Sequence, residues 1–181
     1  MNNSKSNSSH KRENSLVSGT TSNRRFDDSF LDRVLEDRFS RGFLAGAVSY
    51  FPQLIWLIIA MLIGFTELIY SDFASILVYG RFAQDIYEYV FAEFIVVFWH
   101  GFLGVIFAFL LPVIKSKNLY FKGWFYGNAI WFASYVVTTL FQVPELGDIN
   151  LKTSISNMIG ASIQGLFLGF AFIYLEKKKV G

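Results

Sequence analysis

Two side chains can move a proton from beside or within an apolar run: Glu93 and His100. They are seven residues apart. On a helix they share a face, two turns and about 10 Å apart along the axis. They do not touch at that distance, although a water chain could link them. An ionisable residue inside a membrane segment points to function by default. The plain alternative is a neutral imidazole bonded to a neighbouring helix and a solvated carboxylate. Three uncharged polar residues, Gln53, Ser134 and Gln164, stand inside apolar runs of their own. Each lies about 16 Å along its run, so all three fall at one depth. Buried amides need partners, and a Gln53–Ser134–Gln164 polar layer is expected. It serves either as packing glue or, with Glu93 and His100, as the lining of a path for a small solute.

Catalytic templates do not fit these residues. The chain has no cysteine, hence no thiolate nucleophile and no thiolate metal site. A zinc protease needs converging ligands such as H-E-x-x-H. The second histidine, His10, sits in a polar tail. Ser134 with His100 lacks an orienting third residue at any supporting spacing. No glycine-rich phosphate loop is present. The expectation is a non-enzymatic protein with no catalytic residue, no metal and no cofactor.

The elements that must hold these residues are apolar and long. The chain is 53% hydrophobic and only 17% charged, and the apolar residues come in blocks rather than evenly. Residues 42–66 carry no charged side chain over 25 positions. As a helix that run is about 37 Å long, enough to cross a hydrocarbon core of about 30 Å with some tilt. Residues 94–114, 123–144 and 153–175 repeat the pattern, with His100 the only titratable group among them besides tyrosines. Backbone in lipid must satisfy its own hydrogen bonds, so the runs are expected to be helices. The fold class is an all-α membrane protein, a four-transmembrane-helix bundle.

Four segments flank the spans. Residues 1–23 are rich in Ser, Asn and Lys and are expected to be a disordered tail. The long polar lead is unlike a secretory signal. In residues 24–41, Phe26, Phe30, Leu31, Val34, Leu35 and Phe39 recur at helical spacing among charges. This N-terminal amphipathic helix either lies on the membrane surface or packs on the span ends. In residues 67–92, a second, outer-face interfacial helix is expected, with Tyr70, Tyr79, Tyr87 and Tyr89 at headgroup level. Residues 176–181 form a basic end, suited to flank a span and touch anionic lipid.

Cations set the orientation. Fourteen of the sixteen Lys and Arg residues fall in residues 1–41, the second connection and the C-terminal end. Only Arg81 and Lys152 fall on the opposite face. With basic loops inside, four spans place both termini in the cytoplasm of a cell membrane. Packing is legible in small residues at helical spacing: Gly42 and Gly46, Gly104, Gly123 and Gly127, then Ala161, Gly165 and Gly169. Such stripes allow close helix approach within the chain, the favoured use, or between copies. The expected partners are therefore the lipid bilayer and a membrane protein or second copy, not nucleic acid.

Several of these segments resemble one family. Arg41-Gly42-Phe43-Leu44-Ala45-Gly46, Gly64-Phe65-Thr66-Glu67, Phe121-Lys122-Gly123-Trp124 with Tyr126-Gly127 and Trp131, and Asn150-Leu151-Lys152-Thr153 leading to Gly165-Leu166-Phe167-Leu168-Gly169 look like the YqhR-type membrane proteins of bacilli. The resemblance covers about residues 41–176. It implies a small four-span protein of a Gram-positive plasma membrane, with no assigned activity and no catalytic residues to carry over. Two roles follow from the whole chain. One is a scaffold or accessory subunit. The alternative is a small transporter or channel-like protein with Gln53, His100, Ser134 and Gln164 along its path.

Overall fold

The computed structural model describes residues 37–115, 117–143, 146 and 149–180, with the backbone alone for 176–180. Among these residues the chain is all helical. Five helices follow one another: α1 (Arg38–Leu62), α2 (Tyr70–Tyr79), α3 (Ile86–Leu110), α4 (Leu119–Leu140) and α5 (Leu151–Val180). Three are long and apolar enough to cross a membrane: α1, α3 and the Leu151–Leu175 part of α5. The fourth expected span is a helix, but Lys122, Asn128 and its glycines and tyrosines keep it out of that class. The tail and residues 24–36 of the amphipathic segment lie outside the described residues. Residues 38–41 form the first turn of α1 instead.

Helix ends sit where capping chemistry puts them, not where charge stops. α1 ends at Leu62 because Gly64 adopts a left-handed φ of 69°. The Phe65 N–H then reaches the Ala60 carbonyl at 2.8 Å, closing the last turn. Asp85 starts α3 by accepting the Glu88 N–H at 2.8 Å. That places the start eight residues ahead of the apolar run and carries Glu93 inside the helix. Asn118 and Asn150 cap α4 and α5 in the same way. Pro52 lies within α1 and leaves the Val48 carbonyl without its usual helical donor.

Neighbouring long helices run antiparallel. Gly42 and Gly46 of α1 face Gly104 and Ala108 of α3. Gly123 and Gly127 of α4 face Ala161, Gly165 and Gly169 of α5. A Cβ on Gly46 would overlap the His100 carbonyl, and one on Gly123 the Gly165 carbonyl, so backbone meets backbone at both seams. Between the pairs, α1 meets α5 through Ser49 with Gln164, Gln53 with Gly160, and Trp56 with Ser156. The row is α3–α1–α5–α4. Its outer members meet at the Arg38 end, where Phe107 packs 5.1 Å from Tyr126 and the Tyr126 hydroxyl donates to the Leu103 carbonyl at 2.7 Å.

At the opposite end α2 touches both. Ala74 packs with Ala92 and Val96 of α3, and Phe73 lies 6.3 Å from Tyr135 of α4. Six consecutive residues, Ser71–Ile76, are buried. A helix lying flat in an interface buries one face only, so α2 is packed into the bundle end rather than resting on it. Tyr70 turns inward accordingly, while Tyr87 is 82% exposed. Asp72 reaches back to the Ile69 N–H at 2.9 Å and starts this helix.

The connection from α2 to α3 is clamped by charge. Arg81 makes two parallel bonds to the Glu88 carboxylate, both 2.8 Å, and the Gln84 N–H adds a third. Arg81 first, then Gln84, hold the Glu88 carboxyl down at about 2, from an ordinary 4.5. The folded form favours the carboxylate, so the clamp contributes fully above pH 4.5 and is lost as pH falls through about 2. Protection of the Gln84 and Glu88 amides, taken relative to intrinsic exchange at each pH, is expected to fall across that window. In Arg81→Leu the fall should begin nearer 4.5. Protection that does not change with pH in either protein would show the clamp to be idle.

Candidate polar site within the bundle

Glu93 and His100 share a face of α3, and the residue between them comes from α1. The Tyr50 hydroxyl donates to Glu93 Oε1 at 2.7 Å. Its ring lies 4.5 Å from the His100 ring, centroid to centroid. One tyrosine thus spans the two helical turns between them. His100 Nδ1 lies 2.8 Å from the Val96 carbonyl. A carbonyl only accepts, so Nδ1 carries the proton and Nε2 is the basic nitrogen. The Tyr70 ring of α2 stands edge-on to the imidazole, with centroids 6.0 Å apart.

The glutamines do not form the expected layer with Ser134. Gln164 donates through Nε2 to the Ser49 hydroxyl at 3.2 Å, and Ser49 donates in turn to the Gly46 carbonyl at 2.8 Å. Gln53 sits one turn away against Gly160, within reach of the Tyr70 hydroxyl. Ser134 donates to the Trp131 carbonyl of its own helix at 2.7 Å and meets neither glutamine. Equal depth does not bring residues together: depth fixes height along a helix, while the face is fixed by the step of about 100° between residues. The α4 residue that faces the interior is Tyr135, one position on.

Tyr135 accepts a bond from Asn157 Nδ2 at 3.0 Å. Burial pushes the Tyr70 phenol up from its ordinary range, with Tyr135 close enough to add to the effect. The polar cluster therefore runs from Glu93 through Tyr50 and Tyr70 to Gln53, Tyr135 and Asn157. All five helices contribute to it once Gln164 and Asn157 of α5 are counted. It contains three buried atoms without a hydrogen-bond partner: Gln53 Oε1, Asn157 Oδ1 and the Ser156 hydroxyl. Two are amide carbonyl oxygens, which attract a donor.

Composition concealed Tyr50, Tyr70, Tyr135 and Asn157 among nine tyrosines and many small polar residues. One signal was available. Tyrosine in the middle of an apolar run, away from the interface where it is usually enriched, needs a buried partner. Tyr50 and Tyr135 both qualify. The chemistry available is hydrogen bonding and proton exchange among neutral groups beside one carboxyl. Ser134 is not joined to His100. Among the described residues, no three His, Asp or Glu side chains converge to hold a metal ion. Comparison with protein-family models, curated proteins and solved structures gives no match to this chain.

Proposed function

We propose that this chain is a four-span integral protein of the plasma membrane, with both termini cytoplasmic, acting without catalysis as a scaffold or accessory subunit. α4 is proposed as the fourth span. It has 22 residues, about 33 Å, and runs antiparallel to its neighbour α5. It also turns Phe125, Phe132, Val137 and Leu140 outward, which suits lipid and not water. The resemblance to YqhR-type proteins belongs to the same proposal and rests on the glycine and aromatic motifs alone.

The observation that carries the scaffold role is the pair of glycine seams. Backbone against backbone leaves no room for helices to slide, so α1–α3 and α4–α5 act as fixed units. The seams also consume the glycine stripes within the chain, so partners must use other surfaces. Purification of the full chain in mild detergent is expected to retain a membrane protein in fixed stoichiometry. Reporter enzymes fused to each terminus should both be active in the cytoplasm. A terminus found outside sinks the four-span topology. A chain that purifies alone under cross-linking sinks the subunit role and leaves the topology standing.

A second role is favoured by the partnerless Gln53 and Asn157 carbonyl oxygens. They give a small hydrogen-bond donor a place to bind beneath α2. In a packing role, Asn157→Leu removes the orphaned Oδ1 but also the bond to the Tyr135 hydroxyl, and should cost about 1–3 kcal/mol of stability with no other effect. In a solute-binding role it should abolish flux through the reconstituted protein while the fold persists. Unchanged flux of ammonium, urea and glycerol in the variant excludes the second role for those solutes.

A further inference from the structure

At the Arg38 end of the bundle, a pocket of about 290 Å³ opens between α1, α3, α4 and α5. Three cations line it, Arg38, Arg41 and Lys122, against apolar Leu111, Pro112 and Phe172. Among the described residues, no carboxylate lines it. Arg41 Nε is buried and has no hydrogen-bond partner. A buried guanidinium N–H without an acceptor is costly unless a ligand supplies one. Lys122 is also buried, and its ammonium donates to the Ile114 carbonyl at 2.6 Å and the Leu111 carbonyl at 3.3 Å. Those bonds engage carbonyls of the turn that follows α3, which would otherwise repel an anion. They leave the third ammonium donor over.

We infer that this pocket binds the phosphate of an anionic phospholipid, with Arg41 and Arg38 on the phosphate oxygens and an acyl chain along Leu111 and Pro112. The inference rests on the membrane location proposed above but not on the partner role or on which side is cytoplasmic. The class of ligand follows from the lining. Arginine presents a planar fork suited to phosphate oxygens. All four long helices begin or end here, which is headgroup height for a protein spanning the bilayer. A soluble phosphate ester would satisfy the cations equally but not the apolar wall.

The full chain in detergent is heated with phosphatidylglycerol, with phosphatidylcholine, or with inorganic phosphate. Phosphatidylglycerol is expected to raise the unfolding midpoint above that in phosphatidylcholine. Each cation removed, in Arg41→Gln and Arg38→Gln, should weaken the phosphatidylglycerol preference about fivefold. The midpoint in phosphatidylcholine reports whether each variant still folds. Lys122→Gln is avoided because it breaks the two bonds that hold the turn after α3. If inorganic phosphate alone reproduces the shift and Arg41→Gln removes it, the phosphate contact stands and the lipid source is overturned. Equal midpoints in the two lipids, or a preference unchanged by both variants, overturn the site. Failure to incorporate into detergent or vesicles at all overturns the membrane reading instead.

Discussion

Gly46→Ala is expected to unfold the α1–α3 pair, while Gly160→Ala is expected to be tolerated. The two substitutions add the same methyl to the same residue type. They differ only in what that methyl meets. At Gly46 it meets the His100 carbonyl and the Gly104 backbone, which cannot move without parting the helices. At Gly160 it meets Gln53 Cγ and Trp56 Cδ1, both at 3.4 Å, and side chains can give by a few tenths of an ångström. Overpacking costs about 1–3 kcal/mol where neighbours adjust, and more where they do not. Gly46→Ala should therefore lose about 3 kcal/mol or more. Glycine to alanine within a helix regains up to about 1 kcal/mol, so Gly160→Ala should fall near zero. Unfolding midpoints in detergent micelles measure both. Equal midpoints would falsify the backbone contact that the scaffold proposal depends on. Gly165→Ala in the second seam should behave as Gly46→Ala does, because its methyl would overlap the Gly123 carbonyl.

Helices and their close approaches are local matters, and they were legible. A glycine every fourth residue defines a helix face whatever that face meets, and the Gly42/Gly46 and Gly165/Gly169 faces could be read directly. Three of the apolar runs correspond to helices long and apolar enough to cross a membrane. The ends were harder, because Gly64 and Asp85 act through backbone geometry that charge counting ignores. The polar interior was harder still. Ser134 and Tyr135 are adjacent in sequence, yet one bonds its own helix and the other bonds Asn157. Choosing between them requires the rotation of α4 about its axis, which follows from the α4–α5 seam and not from α4 alone. The inward turn of α2 was illegible for a related reason. Its apolar residues suit a lipid interface and a protein cleft equally, and only the gap between α3 and α4 decides.

Tyr50→Phe should destabilise the protein by about 1–3 kcal/mol, the usual cost of leaving one partner of a buried hydrogen bond unsatisfied. The ring remains, so the stacking on His100 is kept and only the 2.7 Å bond to Glu93 is removed. Glu93→Leu breaks the same bond from the other side and leaves the Tyr50 hydroxyl buried without an acceptor. The double variant removes both polar partners. Because losing both members of a buried pair costs less than orphaning one, it should be no worse than the more damaging single change. A double-mutant cycle on unfolding free energies therefore has a clear expected form: a favourable coupling of at least about 1 kcal/mol. Additive losses would mean that Tyr50 and Glu93 do not act together. The polar cluster would then lose its link to the only carboxyl within it. The remaining groups, from Tyr70 to Asn157, would then stand apart from Glu93.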